Sequence, residues 1–344
     1  MNKAILAFIL LASISGCKKT SENNLKEEIG EVPKVEISVA RFEDMSNVAE
    51  PQGDAIYNLL GYGYDITNKY ASTSSVRAQV IDLPLFIANN DKEAFSPSNG
   101  TQNFSMSFYG ANAEDLSAQL SERYDVSNGL NVFKSTFVSS FPGSNALSKK
   151  YGYGYFSWIF IRRKLRIQAT KGSNSLTTIF TEDVKTLNAE QLVKKYGTHI
   201  LQRIHIGTRI NILYQSEVPD NSERILAIKD GMNYAINKVF GFFQSNGGLI
   251  NVKALNTNSS IKLRYDMIGG DISKVKELDI VGVKRIDFNE WNKSLSESDY
   301  RFIDFDSNGL IPLYDLIADN AKKRVVKEFI VKYILENQTK TSPH

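Results

Sequence analysis

Three histidines and one cysteine are the residues of this chain best suited to metal binding or nucleophilic chemistry. His199 and His205 fall on the same face of an extended stretch, which raises a metal site. Six residues of extended chain hold them about 20 Å apart, too far to share one ion. His344 belongs to the tail. Cys17 is the sole thiol, so the chain cannot build a disulfide or a thiolate cluster. Tyr196-Gly197-Thr198-His199 offers a histidine among polar neighbours, yet a helix-ending glycine and a strand-entry histidine have an adequate structural role. No Gly-x-Ser-x-Gly nucleophile elbow occurs. Gly61-Tyr62-Gly63 and Gly152-Tyr153-Gly154 lack a following phosphate-loop pattern. The residues point away from an enzyme, a metal and a cofactor.

The elements around these residues say more. Hydrophobic side chains make up 42% of the sequence and aromatics 11%, enough for a sizeable core. Lysine and arginine (41) are interleaved with aspartate and glutamate (38), for a net charge of +3. With no basic block, nucleic acid is not an expected partner.

Asn2 and Lys3 precede an apolar run, Ala4 to Ser13, too short for a retained transmembrane helix. Ile14-Ser15-Gly16-Cys17 follows and resembles the lipobox of bacterial lipoproteins. The reading is a signal peptide over 1–16, lipidation at Cys17 and a flexible polar tether over 17–34. One domain, 35–340, comes after it. The expected address is the bacterial outer membrane or cell surface, with release in vesicles as a variant.

Within that domain the strongest pattern runs from Ile200 to Gln215. Its even-numbered residues are mostly apolar, an alternation far longer than an ordinary strand. Tyr155 to Ala169 reads as a second long strand, and Val76 to Phe86 and Ser260 to Ile268 as shorter ones. Together they predict a four-stranded sheet with one face covered and the other wetter. Helical spacing marks 222 to 243 (Ile225, Ile228, Met232, Ala235, Ile236, Val239, Phe240, Phe243) and the set Leu116, Leu120, Tyr124, Phe133, Phe137 and Phe141. A short helix capped by Asn188 and Gln191 leads to Gly197. A last helix from Asp319 should turn Val325, Val326, Phe329, Ile330 and Tyr333 inward.

The helix ending in Tyr196-Gly197-Thr198-His199 and running into the longest strand resembles the signature of the MACPF (membrane attack complex/perforin) domain family. Asp266-Met267-Ile268-Gly269-Gly270-Asp271 is similar to the family's fourth strand with its double glycine. Trp291 to Leu295, Ile311 to Tyr314 and Gly61 to Asp65 match other family segments in order. The resemblance covers roughly 55 to 336. With the lipobox, it resembles the Bacteroidales secreted antimicrobial lipoproteins.

That resemblance implies an α+β fold: a bent, twisted four-stranded antiparallel sheet flanked by two helical clusters, here about 92–150 and 217–258. In the family such clusters unfurl into membrane-crossing β-hairpins once monomers form a ring. Phe133, Phe137, Phe141, Ile236, Val239, Phe240 and Phe243 are then the insertion candidates, and Gly269-Gly270 the sheet hinge. The implied partners are a target membrane, a surface receptor (a glycan or outer-membrane protein) and further copies of the chain. The rival reading is a non-lytic surface adhesion protein on the same fold.

Overall fold

The computed structural model describes residues 34–42, 53–91, 93–124, 129–142, 144–242, 250–280 and 282–342. Cys17, the leader and Phe243 lie outside them. In chain order the first elements are β1 (Ile37–Arg41), β2 (Tyr62–Tyr64), β3 (Val76–Gln79), α1 (Leu83–Asn89) and β4 (Phe95–Gly110). Then come α2 (Ala113–Glu122), α3 (Ser135–Val138), β5 (Tyr151–Ile167), α4 (Thr178–Thr186) and α5 (Ala189–Tyr196). The middle holds β6 (His199–Leu201), β7 (Arg203–Glu217), α6 (Arg224–Phe240), α7 (Val252–Leu255) and β8 (Ser259–Ile268). The chain closes with β9 (Lys276–Ile280), β10 (Val283–Asp287), α8 (Asn289–Lys293), β11 (Arg301–Phe305), β12 (Leu310–Pro312) and α9 (Asn320–Asn337).

Four long antiparallel strands in the order β8-β7-β5-β4 form the central sheet, as expected. β1 extends it in parallel along β8, and β11 pairs with the part of β7 that β8 does not reach. One strand was misplaced. Val76 to Phe86 is not a long strand: β3 stops at Gln79, Asp82 caps a helix by accepting from the Leu85 amide, and Pro84 sits in the first turn. The long first strand is Phe95–Gly110 instead, whose segment from Phe95 to Asn103 is exposed apart from Phe95 itself. The first helical cluster therefore occupies 111–150 rather than 92–150.

The Ile200–Gln215 run also divides. The chain breaks pairing at Gln202, so β6 joins a small sheet, β12-β6-β2-β3, while β7 enters the large one. Nor does β7 have a wet face. Partners across the ladder share a face, which puts Tyr153, Tyr155 and Ser157 of β5 with Gln215, Leu213 and Asn211 on one side. Gly152, Gly154, Phe156 and Trp158 share the other side with Ser216, Tyr214, Ile212 and Ile210. The described residues of 111–150 cover the first side, where Phe137 meets Tyr153 edge-on and Phe141 packs on it at a tilt. α6 covers the second, so Arg209, Asn211 and Gln215 are buried as deeply as the isoleucines opposite. On α6, Ile225 is exposed, and on α9 Val325 is exposed while Val326 and Ile330 are buried. Those two β-branched residues extend apolar stripes past the surface that receives them.

Candidate functional site

The signature is a joint between the domain's opening segment and its central strand. Asn188 and Gln191 form a reciprocal capping box at the start of α5. At its end Tyr196 is fully buried, edge-on to Phe180 at 4.9 Å, with its hydroxyl donating to Asp183. Burial, with the Asp183 carboxylate, pushes the Tyr196 phenol above its ordinary range. Gly197 has φ 74° and ψ −166°, a region open essentially to glycine alone. A Cβ there would lie 2.6 Å from the Tyr64 carbonyl, and a Cβ on Gly63 would lie 1.9 Å from the Tyr196 oxygen. Two glycines thus let the backbones cross in contact. Thr198 fastens the crossing: its amide donates to Tyr64 O (3.0 Å) and its hydroxyl accepts from the Ile66 amide (3.2 Å).

His199 is buried on β6 with Nδ1 2.9 Å from Thr198 Oγ1, and burial pulls its pKa down to about 3. A base that weak at neutral pH keeps a neutral ring in the core. His205, beyond the Gln202 break, bonds Asp306 Oδ1 through Nε2 at 2.7 Å, and this bond holds the Asp306 carboxyl below its ordinary value. The two histidines belong to different sheets. Among the described residues no group of three histidine, cysteine, aspartate or glutamate side chains could hold a metal ion.

Gly269 and Gly270 close β8 with φ 82° and 69°. A Cβ on Gly269 would meet Asp299 O and Thr208 Cγ2 at 2.7 Å, and one on Gly270 would meet Leu295 and Trp291. Trp291 donates its indole N–H to Gly269 O at 2.8 Å. The pair is a tight turn packed beneath a buried tryptophan.

Every insertion candidate within the described residues is buried. Phe133, Phe137 and Phe141 fill the core on one side of the sheet, and Ile236, Val239 and Phe240 that on the other. Phe133 adopts φ 66°, a left-handed conformation unfavourable for a bulky residue, while its amide donates to Ile66 O at 2.8 Å. α6 lies flush on β5 because Gly152 and Gly154 have no side chains: a Cβ on them would sit 2.4 Å from Ile228 and 2.3 Å from Met232.

Polar contacts at the roots of both clusters were not foreseen. Arg224, buried at the start of α6, donates to Ala111 O (2.8 Å), Lys149 O (2.6 Å) and Val218 O. Ala111 and Lys149 flank the first cluster, and Val218 opens the second. One guanidinium thus binds the roots of both. Farther along, Tyr70 and Tyr124 bring their hydroxyls to the fully buried Asp304 at 3.1 and 3.0 Å. Burial and the Asp304 charge hold both phenols well above their ordinary range. An isolated arginine or aspartate in a sequence carries no period that would have revealed either contact.

The register places the ends of these segments together. Gly110 pairs with Tyr153, Tyr151 with Glu217 and Glu217 with Ser259. Segments 111–150 and 218–258 therefore leave the same end of one sheet, and each links strands that are hydrogen-bonded neighbours. The MAC/perforin domain model matches residues 52–342. The chain belongs to the MAC/perforin family. A MAC/perforin-domain protein of Bacteroides thetaiotaomicron superposes with a TM-score of 0.64 at 18% identity, over 83% of this chain and 63% of that one. GNIP1Aa from Chromobacterium piscinae gives 0.63 at 16%, over 81% and 56%. At these identities the superpositions show a shared fold alone, and the chain spans less than two thirds of either protein. No curated protein sequence matches it. Among the described residues no helix is long and apolar enough to cross a membrane.

Proposed function

We propose that this MAC/perforin protein is a pore-former that assembles into a homo-oligomeric ring and inserts 111–150 and 218–258 as β-hairpins into the membranes of competing bacteria. It acts as an antimicrobial toxin, held at the outer membrane or cell surface through lipidated Cys17 and guided by a surface receptor. The observation that carries this reading is the common exit of both segments from one end of the antiparallel sheet. Each joins paired neighbours, so straightening it lengthens an existing hairpin without shifting a single register. Each is also longer than the roughly 20 residues that two tilted crossings need. Lifting a cluster exposes its aromatic and aliphatic side chains, about 1.5–3 kcal/mol for each large one. A bilayer would bury them again, and ring closure would pair the backbone groups that lipid cannot satisfy. Membrane attack, not catalysis, is the activity this fold favours here.

The test is dye uptake by a panel of related bacterial strains exposed to soluble protein lacking Cys17, with electron microscopy of the treated membranes. Uptake in some strains together with rings is the expected result. Binding without uptake in every strain would overturn the lytic reading and leave a surface adhesion protein on the same fold.

A further inference from the structure

The end of the sheet opposite the two excursions is polar and largely uncovered. From Ser96 to Asn103 the strand β4 is exposed, and this stretch carries no acid. The ladder sets Ser96 opposite Arg166 and Ser98 opposite Lys164. On the other side of β5 it sets Arg166 opposite Arg203 and Lys164 opposite His205. Partners across a ladder share a face, so two serines, three cations and a histidine meet at one corner of the sheet. Two arginines placed directly opposite each other repel. The carboxylate bonded among them is Asp306, just past β11, which holds Arg166 Nε at 3.2 Å and His205 Nε2 at 2.7 Å. It acts on Lys164 only through space. Among the described residues the side chains of Lys164 and Arg203 make no hydrogen bond or ion pair.

A cleft of about 350 Å³ lies at this corner, between β4 and the Lys164 and Arg166 side chains. A bulge shapes it: Asn99 pairs with Arg163 and Gln102 with Ile161, which leaves Gly100 and Thr101 against the single residue Arg162. The hydroxyls of Ser96, Ser98 and Thr101 and the amides of Asn99 and Gln102 line the cleft. None of these five side chains is hydrogen-bonded among the described residues. Unspent neutral donors and acceptors thus stand beside two cations, with Arg203 adding to the potential behind them.

We infer that this cleft binds an anionic saccharide, with its carboxylate or phosphate toward Lys164 and Arg166 and its alcohol groups toward the β4 side chains. Ammonium and guanidinium groups hold such anions by charge-assisted hydrogen bonds. Hydroxyls and amides both donate and accept, as the alcohols of a sugar require. The position favours a sugar chain over a lipid headgroup. At roughly 3.3 Å per residue, Ser96 lies about 45 Å along β4 from Gly110, where the excursions leave the sheet. A glycan projecting from a cell surface reaches that far, and a headgroup in the bilayer that the hairpins enter does not. The inference gives a chemistry to the surface receptor of the proposed function and, in that role, rests on that reading.

Tetragalacturonate and glucose 1-phosphate are the probes, titrated calorimetrically into the soluble protein. Maltotetraose controls for sugar without charge, and tetraglutamate for charge without sugar. Saturable binding of at least one anionic sugar, tenfold or more tighter than either control, is expected, and the tighter probe tells carboxylate from phosphate. Lys164→Gln should weaken it fivefold or more with circular dichroism unchanged, and so should Asn99→Ala/Gln102→Ala. Equal affinity for tetraglutamate, no heat with either sugar, or full affinity in both folded variants overturns the inference. Binding to phosphatidylglycerol vesicles in place of the sugars overturns it in favour of a lipid surface. The receptor role fails separately if a variant that has lost sugar binding still permeabilises the same strains. Sugar binding without dye uptake in any strain sinks the lytic reading and leaves the site standing.

Discussion

A covalent clamp between α6 and β5 tests whether the second cluster must leave the sheet. Gly154 and Met232 are the natural pair: a Cβ built on Gly154 lies 3.5 Å from the Met232 Cβ. That is within the roughly 3.5–4.5 Å window of disulfides. In a background with Cys17→Ser, the Gly154→Cys/Met232→Cys pair is the only thiol pair in the chain. Closing a loop from 154 to 232 is worth about 4 kcal/mol on the chain-entropy model. Truncating the buried Met232 side chain costs about 2 kcal/mol. The oxidised variant should then be more stable than the parent by about 2 kcal/mol, or roughly 4–8 °C in Tm. Its reduced form should be less stable by about the same energy. Dye uptake should fall to background in the oxidised protein and return on reduction. Oxidised protein with no free thiol that still permeabilises at the reduced rate would refute the reasoning, because α6 could not have moved from β5.

Three other outcomes follow from the geometry. Gly63→Ala forces a methyl group onto the Tyr196 carbonyl, where no flexible side-chain end can give way; a loss of about 3 kcal/mol or more is expected in urea unfolding. His199 is neutral in the folded state with its pKa near 3, so its contribution is complete above about pH 6.5 and is lost as pH falls toward 3. The loss is on the order of 4 kcal/mol, and His199→Gln should remove that part of the acid sensitivity in urea midpoints measured from pH 7 to 3. Arg224→Met deletes three hydrogen bonds to carbonyls at the roots of both clusters, a cost of roughly 3 kcal/mol. Amide exchange should accelerate in 111–150 as well as in 218–258, and acceleration confined to the second segment would show that Arg224 does not couple them.

Much of this fold was legible because its signals are local. The α5 capping box needs only Asn188 and Gln191, and β5 and β7 announce themselves through alternation longer than a helix could sustain. β4 escaped because its exposed half, Ser96-Pro97-Ser98-Asn99-Gly100-Thr101, reads as a loop. Its alternation, Phe104-Ser105-Met106-Ser107-Phe108, is confined to the covered half. Val76 to Phe86 was misread because apolar residues outweighed the stop and start signals of Asp82 and Pro84. The candidate site divided in the same manner. The phenylalanines of 133–141 and the apolar stripe of α6 follow from periodicity. The Arg224–Ala111 and Asp304–Tyr124 contacts join residues 113 and 180 positions apart, and no local pattern encodes them.

The shared exit of the two segments has a consequence for how such a protein can vary. Among the described residues neither excursion threads between strands, so residues can be added to or removed from either without disturbing the ladder that carries it. Each pair of residues inserted, one on either arm, would lengthen an extended ribbon by about 3.3 Å. Under the proposed insertion, the scaffold and its reach would therefore be separately adjustable, so that the reach could change while the sheet stays as it is.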